Sequence, residues 1–97
     1  MVVRHPRHGR EVALIGRERF RGKDVLDVGS GDGRLSFDLA RVARSVLGVD
    51  PSLEAVAGAT ARARDLGLAN LSFAVGAAQH LDVGRRRFDV AIFTWSL

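Results

Sequence analysis

Apolar residues in this chain fall into short unbroken runs separated by amphipathic stretches. Val25-Leu26-Asp27-Val28, Val46-Leu47-Gly48-Val49, Leu71-Ser72-Phe73-Ala74-Val75 and Phe88-Asp89-Val90-Ala91-Ile92-Phe93 each have the length of one strand. Runs that are apolar on both faces suit a parallel sheet covered on two sides. Between the first two runs, Leu35, Leu39, Val42 and Ala43 recur at helical spacing and predict a helix over 33–44. Between the second and third, 52–64 is alanine-rich, with Leu53, Val56, Ala57 and Thr60 on its expected inward face. Pro51 suits the first turn of that helix, where its missing N–H costs little, while Gly58 weakens the middle. Residues 66–70 read as a loop and 76–82 as a loop or short helix. Ahead of the first strand, Glu11 to Phe20 predicts a helix with Val12, Ile15 and Phe20 on one side, weakened by Gly16. The polar, basic residues 1–9 predict a mobile lead-in.

Strands alternating with helices imply right-handed crossovers and a parallel, doubly wound α/β sheet. The chain has 97 residues, room for one small domain. The expected division is a basic lead-in and helix over 1–21 and the α/β domain over 22–97. Four strands fall short of the usual doubly wound sheet, so the reading is a truncated version of one. Phe88 to Phe93 would then be a nearly uncharged edge open to pairing with other chains. A fragment is expected, or a chain whose open edge is covered by a second copy or a partner subunit.

Composition narrows the class. A hydrophobic content of 46% supports a packed core and argues against a disordered chain. No run of eighteen apolar residues exists, so neither a membrane span nor a membrane role is expected, and the N-terminus lacks the apolar region of a signal peptide. The absence of cysteine removes thiol chemistry and suits a cytoplasmic protein. The formal charge of +4 comes from 15 Lys and Arg against 11 Asp and Glu. Such a surface attracts anions, but the arginines are scattered, and the contiguous run Arg85-Arg86-Arg87 lies in an expected turn. Solvated surface arginine is the better reading than nucleic-acid binding.

The chemistry concentrates after the first strand, at Gly29-Ser30-Gly31-Asp32-Gly33-Arg34. Three glycines on a tight turn between strand and helix let the backbone approach a bound molecule closely. Asp50 ends the second strand, where a carboxylate can accept from both hydroxyls of a ribose, and Pro51-Ser52 continues along the edge of an attached base. Asp27 sits inside an apolar strand and needs donors, either an ammonium group or backbone amides of the glycine turn. A diphosphate would be repelled by that carboxylate, and Arg34 stands where the dinucleotide fingerprint has its third glycine. Both features point away from NAD or FAD and toward a nucleoside joined to an amino acid.

With these motifs in this order, the chain resembles the class I S-adenosylmethionine-dependent methyltransferases. The likeness is carried by Val25-Leu26-Asp27-Val28-Gly29-Ser30-Gly31-Asp32-Gly33 and Gly48-Val49-Asp50-Pro51-Ser52, then by 73–81 and 87–93. It is strongest to the branch that methylates small molecules, quinone precursors included. The resemblance implies a Rossmann-like sheet of strand order 3-2-1-4 and S-adenosyl-L-methionine as cofactor. It places the amino-acid end of the cofactor over Gly29, Ser30, Gly31 and Gly33, with Asp27 near its ammonium. Asp50 would hold the ribose hydroxyls, Pro51 and Ser52 would edge the adenine, and Ala77 and Ala78 would flank it beside Leu81. Backbone around Phe93 and Thr94 would face the methionine portion. Many relatives carry a polar residue where this chain has Ala77, so one adenine anchor is absent or falls to Gln79.

Methyl transfer asks the protein for alignment and exclusion of water, with a base for some acceptors. His80 is a candidate base and Trp95 a candidate cavity wall, each with a plain packing alternative. No metal set is expected from His5, His8 and His80. Two other readings remain: a non-catalytic methyltransferase-like module acting through self-association or protein interaction, and a dinucleotide-dependent oxidoreductase.

Overall fold

The computed structural model describes residues 2–4, 17–76 and 88–93. Five strands form one sheet: β1 (Val2–Arg4), β2 (Asp24–Val28), β3 (Ser45–Asp50), β4 (Leu71–Val75) and β5 (Val90–Phe93). Their order is β1-β5-β2-β3-β4 and every pairing is parallel. The four strands expected from the apolar runs thus lie in the order 3-2-1-4. The helix α1 (Arg34–Leu39) follows β2, and α2 (Leu53–Asp65) follows β3. A 3-10 turn, Arg17–Phe20, precedes β2. The rest of the helix expected over 11–20 lies outside the described residues, as do most of 76–82, the Arg85-Arg86-Arg87 run and Trp95.

Residues 2–4, expected in a mobile lead-in, instead pair with β5 in the register Val2 to Ala91, Val3 to Ile92 and Arg4 to Phe93. A strand edge presents unpaired N–H and C=O groups, and a Val-Val segment readily takes extended geometry beside it. The edge that the sequence left bare is therefore paired by the chain itself along Ala91 to Phe93.

One sheet face carries Val25, Val46, Leu71, Val90 and Ile92 against Leu35, Leu39, Ala40 and Ala43 from the α1 segment and Ala63 from α2, with Phe20 fully enclosed among them. The other face carries Leu26, Val28 and Val49, flanked by Leu47, Phe88, Ala91 and Phe93. Both helices depart from expectation. The first was expected to reach residue 44 but ends at Leu39. Its last carbonyls accept from the turn that follows, Asp38 O from Arg41 N and Leu39 O from Val42 N and Ala43 N. The carbonyls of that turn find distant partners: Asn70 Nδ2 donates to Ala40 O at 2.8 Å and to Ala43 O at 3.2 Å, and Gly22 N donates to Val42 O. In α2 the buried residues are Val56, Ala59 and Ala63, while Leu53 is 71% exposed at its first turn. The inward stripe is thus set by i, i+3, i+7 spacing from Val56. Pro51 lies just outside the helix, and Ser52 is its N-cap, accepting from Ala55 N at 3.1 Å.

The N-terminal ends of the strands are tied by side chains. Asp24 accepts from Arg44 Nε at 3.0 Å and from Ser45 Oγ at 2.7 Å, and pairs a second time with the Arg44 guanidinium. The backbone of Asp24 exchanges two bonds with Asp89: Asp24 N donates to Asp89 Oδ2, and Asp89 N donates to Asp24 O, each at 2.8 Å. Arg44 and then Ser45 hold the Asp24 carboxyl down at about 2, against the opposing pull of burial. Because the folded pKa lies below the unfolded one, this tie stabilises the fold fully above about pH 4 and is lost as pH falls toward about 2. Asp24→Asn should therefore lower the melting temperature at neutral pH, and the gap to wild type should close across that acid window. Thermal unfolding followed by circular dichroism between pH 7 and pH 2 checks it. A gap that persists unchanged at the acid end would show that the pairing contributes through something other than the carboxylate charge.

Candidate functional site

The C-terminal ends of β2 and β3 sit side by side, with Val28 opposite Val49. Beyond Val28 the chain must reverse before α1, and it does so through Gly29, Gly31 and Gly33 at φ of 83°, 56° and 85°. Side chains seldom tolerate these values, so the glycine spacing follows from the path of the turn. Two amides fasten it to the neighbouring strand: Gly29 N and Ser30 N both donate to Val49 O, at 2.7 and 3.0 Å. Gly33 N then closes onto Ser30 O at 2.9 Å, and Phe37 N donates to Gly33 O to begin α1.

This path carries Gly31 to Asp50. Gly31 N donates to Asp50 Oδ2 at 2.9 Å, and Ser52 N donates to Asp50 Oδ1 at 2.9 Å. One half-buried carboxylate therefore joins the glycine turn to the β3–α2 turn. An ionised carboxylate offers about four acceptor sites, so these two bonds leave capacity on both oxygens for further donors such as a vicinal diol.

Beneath the turn lie three buried polar residues, Asp27, Ser30 and Ser36, with exposures of 0, 1 and 0%. Ser36 Oγ donates to Asp27 Oδ2 at 2.6 Å. This hydroxyl, in the first turn of α1, was not singled out from sequence; a serine between Leu35 and Leu39 on the helix's inward side was the available signal. Ser30 Oγ is buried without a hydrogen-bond partner among the described residues. Buried polar groups normally have one, so the cradle retains hydrogen-bonding capacity. Above Gly31 there is room: a Cβ built there would meet nothing within 4 Å. Open space over the turn, acceptor capacity on Asp50 and an unpaired buried hydroxyl fit a polar ligand such as the adenosyl cofactor implied by the motifs.

Asp27, Gly29, Ser30, Gly31, Gly33, Asp50 and Ser52 are thus brought together. Pro51 lies exposed in the bend between Asp50 and Ser52. Phe93, opposite Val28 in register, ends β5 at the same edge, and its half-buried ring packs on the Leu26, Val28, Val49 side of the sheet. Ala77 and Ala78 lie outside the described residues, together with Gln79, His80, Leu81 and Thr94. Val75, not singled out from sequence, stands opposite Asp50 and is 50% exposed, so it puts apolar surface at this end of the sheet. A cavity of about 300 Å³ lies at the other end, lined by Asp24, Ser45, Asn70, Ser72 and Phe88. Open parallel sheets bind ligands outside the C-terminal strand ends, and the glycine turn is there, so that edge is the candidate site.

Comparison with known proteins agrees with this geometry. A family profile described as a methyltransferase domain matches residues 19–97. A ubiquinone biosynthesis O-methyltransferase of Azorhizobium caulinodans is 35% identical over 72 residues, covering 74% of this chain and 28% of that protein. The chain therefore spans little more than a quarter of that relative. Among solved structures, the YcgJ protein of Bacillus subtilis superposes with a TM-score of 0.79 at 27% identity, over 89% of this chain and 38% of that one. Phosphoethanolamine N-methyltransferase 1 of Haemonchus contortus, solved with phosphoethanolamine and S-adenosylhomocysteine, gives a TM-score of 0.70 at 32% identity. That match covers 78% of this chain and 16% of the other.

The Ser36 bond gives a direct test of the buried cluster. Leaving a buried acceptor without its donor costs about 1–3 kcal/mol. Ser36→Ala should lower unfolding free energy by about that amount, measured by urea denaturation at neutral pH. A variant within a few tenths of a kcal/mol of wild type would mean that Asp27 does not depend on this donor.

Proposed function

Since the chain belongs to the methyltransferase-domain family, with the class I S-adenosylmethionine-dependent fold, we propose that it binds S-adenosylmethionine and supplies the cofactor-binding part of an enzyme that methylates a small molecule. The observation that carries this reading is the Asp50 carboxylate, held by Gly31 N and Ser52 N between the glycine turn and the β3–α2 turn. In this reading Asp50 accepts from the two ribose hydroxyls through its remaining lone pairs. Because both carboxylate oxygens are already fixed by backbone amides, little rotamer freedom is lost when the diol arrives. Gly29, Gly31 and Gly33 present backbone rather than side chains to the amino-acid end of the ligand, Ser30 adds its hydroxyl, and the Asp27 carboxyl lies beneath the turn. Pro51, Ser52 and Val75 border the base, with Ala77 and Ala78 assigned to its other side, and Phe93 ends the strand that faces the methionine portion.

When bound, S-adenosylmethionine supplies an electrophilic methyl group on a sulfonium. The part left to the chain is to orient that ligand and keep water from it. The small-molecule acceptor is supported by the likeness to the ubiquinone biosynthesis O-methyltransferase, of which the chain covers 28%. The self-association reading loses its motive over Ala91 to Phe93, whose open edge is already paired by β1.

Calorimetric titration with S-adenosylhomocysteine should give saturable binding to the folded chain. Asp50→Ala should weaken it about ten- to a hundredfold, as expected for losing bonds to a charged acceptor. A folded chain that shows no binding at millimolar ligand, or an Asp50→Ala variant that binds as tightly as wild type, would overturn the reading.

A further inference from the structure

We propose that Phe73 is a positioning residue for the glycine turn: its ring, rooted in β4, fills the space left by the missing side chains of Gly48 and Gly33 and so sets the height of the turn above β3. The proposal rests on the reading that this turn holds the cofactor, and it concerns what holds the turn.

Gly48 lies mid-strand and is not among the glycines with positive φ, so its backbone conformation does not demand glycine. Space does. A Cβ at Gly48 would lie 2.6 and 2.7 Å from Phe73 Cδ1 and Cε1, and 3.0 Å from Ser30 Cβ. The same ring closes over Gly33, where a Cβ would lie 2.8 Å from Phe73 Cζ, 3.0 Å from Phe73 Cε1 and 3.1 Å from Phe37 Cε2. One aromatic ring thus abuts two glycines of different elements, one in β3 and one at the entrance to α1. Carbon atoms in contact separate at about 3.5–4.0 Å, so even one methyl group at either position must displace something.

The ring is itself held from the helix side. Its centroid is 5.7 Å from that of Phe37 at a tilt of 42°, and the Arg62 guanidinium stands 5.1 Å from the Phe37 ring centroid. Phe37 of α1 thus packs on Phe73, and Arg62 of α2 backs Phe37 from its own side. The turn hangs from the residue next to Gly48, because Gly29 N and Ser30 N both donate to Val49 O. Ser30 descends onto Gly48 from above while Phe73 reaches it from the neighbouring strand. A side chain at 48 would press on both, lifting Ser30 away from Val49 O and shifting Gly31 relative to Asp50.

The test is a double-mutant cycle on the full 97-residue chain with Gly48→Ala, Phe73→Leu and both together. Two quantities are read well below the melting temperature: the S-adenosylhomocysteine dissociation constant, and amide exchange at Ser30, Gly31 and Gly33. Gly48→Ala should raise the dissociation constant about tenfold or more and speed exchange at those amides; adding Phe73→Leu should recover most of both losses, since coupled neighbours are non-additive. If Gly48→Ala does not fold, Phe73→Leu alone decides, and it should speed exchange at the three amides more than at β2. Purely structural packing would lower the melting temperature and leave affinity and turn exchange unchanged. That outcome, or a double variant equal to the product of the singles, would overturn the proposal. If wild type itself fails to bind, the cofactor reading falls, while the exchange rates still decide the role of Phe73.

Discussion

Everything at the site depends on one carbonyl. Val49 O accepts from both Gly29 N and Ser30 N, and this pair of bonds converts the end of a β2–β3 ladder into a folded-over turn. The ladder carries the chain to Val28 opposite Val49; beyond it, backbone amides would otherwise point into solvent. Docking two of them on a single oxygen bends the chain across the neighbouring strand and delivers the next amide, Gly31 N, to Asp50. The acid at the end of β3 and the turn at the end of β2 are thus one hydrogen-bonded unit. Neither position is free to move without breaking the other.

That coupling explains why so much of the site was legible in the sequence. Strand runs appear in a parallel sheet as unbroken apolar stretches: β4 and β5 fall within the runs that announced them, and β2 and β3 extend theirs by one residue, at one end and at both ends respectively. The glycine turn declares itself because three positive φ values leave little choice of residue type. The acid at position 50 is visible because it ends an apolar run. Features that depend on tertiary partners were less legible. The shortened α1 could not be read locally, since the turn that replaces its last residues, 40–43, has its carbonyls satisfied by Asn70 and Gly22 from elsewhere in the chain. The inward stripe of α2 begins at Val56 rather than Leu53, a choice made by packing against β4 and not by apolarity. Val2 to Arg4 were invisible as a strand because a three-residue segment carries no periodicity; only the open edge of β5 gives them a reason to extend.

Gly48 shows the same limit from another side. In sequence it is a weak residue in a strand run, costing backbone entropy with no side chain to pack. In the structure it is the place where Phe73 and Ser30 come closest to the backbone of β3. A glycine required by space leaves no mark distinguishing it from one tolerated by chance, because the requirement sits twenty-five residues away at Phe73. The ring that imposes it reads locally as ordinary strand hydrophobicity.

The two ends of the sheet divide the work. At the N-terminal end, Asp24 is bonded by Arg44, Ser45 and Asp89, and these bonds hold the entrances of β2, β3 and β5 together. At the C-terminal end, the polar groups are held but not exhausted: Asp50 keeps acceptor capacity, Ser30 Oγ has no partner, and the space over Gly31 is open. Unspent hydrogen-bonding capacity destabilises a buried region, so a small domain can carry it only where the surrounding backbone is fixed. Here the fixing comes from the ladder below, from the Ser36 bond to Asp27, and from Phe73 against the two glycines. Asp50 makes the point most directly. Its two backbone bonds hold the carboxylate in one orientation and leave acceptor capacity on both oxygens. A candidate binding edge built this way draws its rigidity from beneath, so the contacts that hold it extend through the sheet to Phe73 of β4 and are not confined to the residues that line it.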